Sequence, residues 1–457
     1  MREVTKALRF PLAGLGRHLS YRDSTYPPED GAYMTPAASN VIGGCAFSNR
    51  ERGGSRPGLS VVSVASIAGD RVWLWPNGDR ITWPSGDIVA FANADVSAAS
   101  LGNFSVALQH GTFSVNATKG SAPSSCTAFA RYRDRFVVAG GNMLYASRTG
   151  DHGDFDYGGD GEDVTRPVAL SLALAGREGD NITALMPIGD QRLYVATARG
   201  LAVIPGEPTS GMAWISNNVG AISAHAWCDA DGTLFFLGAN GMYAAGDGAA
   251  VLISKQLPED LKGLSSAVLV YDPEWSGIHI LGTGQAHDWF YAIGRKAFWP
   301  MTYPAAIRPV GGGSVPIDGV NATVFICADG SWRKWNDSAT ADSDGSPITS
   351  SVAIGPFRCG ANDFGDGILD TLSMALGEGS ANVTIEIYTA KSAEASILAA
   401  AAGATPNATL TASEGWNNLQ RPRVRGAWAT IVLSAAGRWA FEGLAAGIKT
   451  TGVLRYG

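Results

Sequence analysis

Arg135-Phe136-Val137-Val138-Ala139-Gly140-Gly141-Asn142-Met143-Leu144-Tyr145-Ala146-Ser147 is two runs of apolar and aromatic residues parted by Gly140-Gly141-Asn142. A tight turn needs positive φ at its centre, which Gly and Asn adopt at least cost, so the stretch predicts a β-hairpin. The arrangement returns along the chain. Residues 71–75 and 80–83 flank Asn77-Gly78-Asp79, 192–197 and 201–204 flank Ala198-Arg199-Gly200, and 233–237 and 242–244 flank Ala239-Asn240-Gly241. Residues 278–281 pair by pattern with 289–293, and 323–327 precede Asp329-Gly330 and Trp332.

Counted from residues 136, 193, 234, 278 and 324, the intervals are 57, 41, 44 and 46 residues, which bracket the length of a four-stranded propeller blade, about 40 to 50 residues. Hairpins at that spacing predict blades set radially around an axis, each burying its faces on its neighbours. The unit at 71–83 stands further upstream, with another strand pair at 104–115 between, so the pattern does not set the blade number. A pair of sandwiches is the other all-β arrangement, and it requires no period.

Beyond about residue 350 the pattern changes to clean alternation at 368–376, 383–388, 428–433 and 439–442, which predicts a small β-sandwich, with one short helix at 392–402. Residues 1–60 show scattered Pro, Gly and polar residues with little periodicity. They predict an extended arm lying across their own or a neighbouring subunit, with Tyr21, Arg22, Tyr26 and Tyr33 as candidate subunit or partner contacts. The expected fold is therefore all-β: an arm (1–60), a propeller-like body (61–345) and a C-terminal sandwich (346–457).

Composition agrees, with 46% hydrophobic residues, 16% charged residues and 58 Gly in 457. A net charge of −7 argues against a surface designed to grip nucleic acid, though not against a channel that lets it pass. The five cysteines are scattered and never form a C-x-x-C pair, so they read as buried free thiols. Neither a signal peptide nor an apolar run long enough to span a membrane is expected.

Candidate chemistry is sparse. The six histidines are dispersed without metal-ligand spacing, and His279, inside an apolar strand, reads as a satisfied core residue. Asp151, Asp154, Asp156, Asp160, Glu162 and Asp163 crowd one segment, yet the complete calcium-loop pattern is missing, and an acidic surface loop is the better reading. Asp342-Ser343-Asp344-Gly345 reads as a linker. Nucleophile-elbow, phosphate-loop and repeated sialidase turn motifs are lacking, so no cofactor, metal or catalytic residue is expected, and the chain reads as a structural protein rather than an enzyme. A carbohydrate-binding or carbohydrate-cleaving propeller is the alternative.

The stretch 132–141, followed by Tyr145-Ala146-Ser147-Arg148-Thr149-Gly150-Asp151 and Asp154-Phe155, resembles a signature of phage tail proteins of the nozzle, or tail tubular, kind. So do Arg52-Gly53-Gly54-Ser55-Arg56-Pro57-Gly58-Leu59, Ile354-Gly355-Pro356-Phe357, Arg421-Pro422-Arg423-Val424-Arg425-Gly426 and Arg438-Trp439-Ala440-Phe441-Glu442-Gly443. The resemblance implies a virion subunit made in the host bacterial cytoplasm. It would assemble into a closed homo-oligomeric ring, six copies in short-tailed phages, beneath the head–tail adaptor. Tail fibre or tip proteins would be its other partners, and double-stranded DNA would pass through the bore during ejection. A closed ring requires two different complementary patches on each subunit.

Overall fold

The computed structural model describes residues 2–16, 30–44, 51–62 and, with short interruptions, 117–450; between 63 and 116 it describes little beyond short strands. Among the described residues the chain is built from antiparallel strands with one α-helix, α1, Ala393–Ala401.

Of the six hairpins expected from the sequence, five are the middle of a four-stranded sheet, and the one at 71–83 belongs to a three-stranded sheet. Blade 1 is Ala128–Tyr132, Arg135–Gly140, Met143–Ala146 and Val168–Ser171; blade 2 is Ile182–Ile188, Arg192–Thr197, Leu201–Pro205 and Ala213–Ser216. Blade 3 is Trp227–Ala230, Thr233–Gly238, Gly241–Ala245 and Val251–Leu252; blade 4 is Ala267–Asp272, Gly277–Gly282, Asp288–Ala292 and Ala297–Met301. The first strand of each blade packs on the first strand of the next, so these strands line a common centre, and the body is propeller-like. Upstream, Arg71–Leu74 pairs with Arg80–Trp83, which pairs with Ser105–Ala107, and that last strand meets the first strand of blade 1.

Blade 5 takes only three strands from its own stretch of chain, Pro309–Ile317, Val320–Cys327 and Trp332–Asn336. Its outer strand comes from the arm. The arm's strands are β1 (Arg2–Leu8), β2 (Ala38–Ser39), β3 (Val41–Ile42), β4 (Gly54–Ser55) and β5 (Gly58–Val61), and β5 pairs Leu59 with Trp335 and Val61 with Arg333.

The same arm completes the C-terminal sandwich. One five-stranded sheet runs β1, Phe441–Thr450, Gly367–Leu376 and Gly415–Leu419, with Val424–Gly426 pairing the start of Gly367–Leu376. The other runs β2, Thr349–Arg358, Trp428–Ala436, Val383–Ala390 and Ala408–Ala412, and α1 lies over its middle strands. Ser392 caps α1, accepting from the amide of Ala395, and Ser396 Oγ meets Thr430 Oγ1 at 2.9 Å. The described arm thus lies across its own chain and adds an edge strand to each sandwich sheet.

One hydrophobic core serves blades 4 and 5, the arm and the sandwich. Leu8, Phe10 and Ile42 of the arm, Phe290, Trp299 and Trp335 of the blades, and Ile354, Phe357, Trp439 and Phe441 of the sandwich all belong to it. Blades 1 and 2 bury a separate cluster around Val137, Leu144, Leu185 and Val195.

Candidate functional site

Two places gather the chemistry-bearing side chains, and both fall on stretches singled out in the sequence. The first is the loop after the third strand of blade 1. Arg135 opens the second strand with a fully buried side chain, and an unpaired guanidinium there would carry a heavy desolvation cost. It instead donates through Nη1 to the carbonyls of Ser147 and Arg166, both at 2.7 Å, and through Nη2 to the Val164 carbonyl and Glu207 Oε2. The Phe136 amide donates to Ser147 Oγ at 3.0 Å. Arg148 reaches across the loop, Nε to Asp154 Oδ2 at 2.9 Å and Nη1 to Asp163 Oδ2 at 2.7 Å.

Four of the acidic residues of this loop are spent on its backbone, and Asp160 lies outside the described residues. Asp151, Asp154, Asp156 and Asp163 each accept, through Oδ1, the amide two residues on, that of Gly153, Asp156, Gly158 and Thr165 respectively. That i, i+2 pattern is the Asx-turn, and it accounts for the spacing that resembles a calcium loop. Burial raises the Asp154 carboxyl, but the Asp156 amide and Arg148 outweigh it and hold the group below the usual carboxylate range. Hydrogen bonding from Thr165, then Arg148, lowers Asp163 to about 2. Among the described residues no cluster of three or more His, Cys, Asp or Glu is placed to hold a metal ion.

The second place is the junction of arm, blade 4 and sandwich. Arg56 is 1% exposed and uses all five of its N–H donors: Nε to Asn40 Oδ1, Nη1 to the Pro57 carbonyl and Asp342 Oδ1, and Nη2 to the Thr302 carbonyl and Asp342 Oδ2 at 2.6 Å. Its guanidinium also lies over the Tyr303 ring, 4.4 Å from the centroid. Asp342, at the start of the expected linker, is itself buried and accepts the Leu59 amide. The linker is therefore a latch between arm and propeller.

Beside it, the Gly53 carbonyl accepts the Phe441 amide, Ser55 Oγ accepts the Trp439 amide, and Arg52 Nη1 meets Glu442 Oε2 at 3.0 Å. Trp439 Nε1 donates to Ser350 Oγ at 2.8 Å. A cleft of about 360 Å³ opens here, lined by Arg9, Phe10, Asp30, Arg52, Arg295 and Glu442.

Of the arm residues expected to make contacts, Tyr21, Arg22 and Tyr26 lie outside the described residues. Tyr33 is buried, and its hydroxyl donates to the Arg9 carbonyl at 2.6 Å, which ties the arm to itself. His279 is 1% exposed, with Nε2 3.3 Å from Asp272 Oδ2 and its ring among Phe290, Phe325 and Trp335, as a core histidine should be. Cys126, Cys228, Cys327 and Cys359 are buried free thiols, and burial pushes Cys126 up to about 12. No helix among the described residues is long and apolar enough to cross a membrane.

Asp342, Asn40 and Glu207 carry no sequence signal as partners of buried arginines, because each lies 16 or more residues from the arginine it meets.

No protein-family model and no curated protein matches the chain. Among solved structures it is similar to a chain of the mitotic checkpoint complex, at 12% identity and a TM-score of 0.35 over 61% of this chain and 93% of that one. It is similar to a catalytically inactive virginiamycin B lyase from Staphylococcus aureus with quinupristin, at 9% identity and 0.33 over 60% and 97%. It is also similar to a β-propeller domain from Myceliophteria thermophila, at 8% identity and 0.32 over 61% and 99%. The all-β, propeller-like body is read from the chain's own sheets and the packing between their first strands.

Proposed function

We propose that this chain is a structural subunit of a bacteriophage tail, of the nozzle or tail tubular kind, assembling into a ring through which the genome passes. The reading rests on where the stretches resembling that family lie. Residues 52–59, 354–357 and 438–443 are far apart in sequence, yet they pack into one junction that joins arm, propeller and sandwich. In blade 1 the residues of the longest such stretch brace a loop with buried charge. Each stretch holds elements together, which suits a subunit that must keep its shape under load.

The ring, its adaptor and fibre partners, and its place in the virion belong to this proposal. Mass photometry of the purified full chain tests it. The expected species is a discrete closed oligomer, six copies in a short-tailed phage, seen as an annulus by electron microscopy. A stable monomer with affinity for host polysaccharide would overturn it in favour of a glycan-binding propeller.

A further inference from the structure

The outer edge of the sandwich carries the run Arg421-Pro422-Arg423-Val424-Arg425, anchored from beneath. Gly367–Leu376 has a register shift at Asp370, and such a bulge re-aims the side chain it carries. Asp370 is 6% exposed and holds Lys449 Nζ at 2.5 Å, with Arg423 Nε at 3.9 Å. Asp366 holds Arg425 Nε at 3.1 Å. The carboxylates lie inward, at 8% and 19% side-chain exposure, while Arg423 and Arg425 stand out at 68% and 64%. Among the described residues both arginines use Nε for these contacts, and their Nη groups remain for a further acceptor. Arg423 also adopts φ 50°, a left-handed conformation uncommon outside glycine and often retained at functional positions. Among the described residues, four cations, Arg421, Arg423, Arg425 and Lys449, thus gather around two carboxylates, Asp366 and Asp370, a local excess of positive charge on a chain of net −7.

We propose that this edge holds the phosphate backbone of double-stranded DNA. Guanidiniums steadied by buried carboxylates, with donors still unspent, match the paired non-bridging oxygens of a phosphodiester. The acidic loop of a second copy fits less well, because Asp151, Asp154 and Asp163 already serve turns and the cations Lys119 and Arg148. Phosphate contacts carry no sequence information, so the binding is indifferent to sequence and sensitive to salt. The choice of DNA among polyanions rests on the proposed function.

The test uses the full chain and a short labelled duplex, read by fluorescence anisotropy across a salt series. The triple variant Arg421→Gln, Arg423→Gln, Arg425→Gln removes charge while keeping a polar side chain at each position. It is expected to weaken binding about tenfold or more at low salt and to flatten the slope of log K against log salt by about 0.9 for each phosphate no longer neutralised. Should that variant fold poorly, arginine modification of the wild type gives an independent readout, with duplex expected to protect Arg423 and Arg425 from phenylglyoxal. No binding by the wild type at low salt, unchanged affinity in a folded variant, protection confined to other arginines, or equal competition by polyglutamate would each overturn the inference. Oligomer mass measured on the same samples separates the two ideas. A ring that does not bind duplex sinks only this inference, and a monomeric wild type sinks the ring.

Discussion

Arg56 and Asp342 form a pair that neither partner can leave cheaply. Replacing one strands a buried charge, which costs about 3–5 kcal/mol, whereas replacing both with apolar residues of similar volume is often neutral. Arg56→Ala is therefore expected to lower unfolding free energy in urea by that amount, and Arg56→Met with Asp342→Leu to recover most of it. A single variant as stable as the wild type would show that the latch is dispensable. Asp163 gives a test in pH. Its folded pKa of about 2 lies below the ordinary 3.8, so the ionised carboxylate stabilises the loop above pH 3.8, and that contribution is lost as pH falls through about 2. A carboxyl 13C titration should place its midpoint near 2; a midpoint at or above 3.8 would contradict the bond to Thr165 and the ion pair with Arg148.

At the scale of elements, the arm's last strand decides how the propeller ends. Leu59 in β5 is fully buried against blade 5, and its truncation to Ala should cost about 2–5 kcal/mol through weakened packing and an incompletely filled cavity. Limited proteolysis should then cut first near β5 and Trp332–Asn336, and a cleavage pattern identical to the wild type would argue against the closure. The hairpins were legible because they are the second and third strands of each blade, where Leu193, Tyr194 and Val195 or Leu234, Phe235 and Phe236 form unbroken apolar runs next to Gly-containing turns. Strands at the inner and outer edges of the blades carry a weaker sequence signal. Val251–Leu252 is two residues long and partly exposed, and Pro309–Ile317 carries Gly311-Gly312-Gly313, which weakens any strand propensity. The spacing Asp154-Phe155-Asp156 was equally ambiguous: alternate carboxylates serve Asx-turns as readily as ligands, and only the positions of the Asp156 and Gly158 amides separate the two.

For the whole molecule, the division into arm, body and sandwich that the sequence suggests is crossed by the core. Residues 346–457 lack β1 and β2, the edge strands that cover Phe441–Thr450 and Thr349–Arg358. Expressed alone, that fragment is expected to aggregate or stay unfolded, because it exposes two strand edges and the apolar surface otherwise met by Leu8, Phe10 and Trp299. A monomeric fragment with a dispersed amide spectrum would show instead that the sandwich is self-sufficient.

The amino-acid sequence by itself determined the all-β class, the repeating hairpins, the helix near 393–401 and the free, buried character of the described cysteines, because these follow from local periodicity, turn chemistry and spacing. Only the tertiary structure decided that the N-terminal residues complete both the last blade and the sandwich, and that Arg56 meets Asp342 across 286 positions. Partners so distant leave no periodic trace: short strands of two to four residues gain stability from the sheets they join, and a buried arginine's acceptor is set by where the folded chain returns.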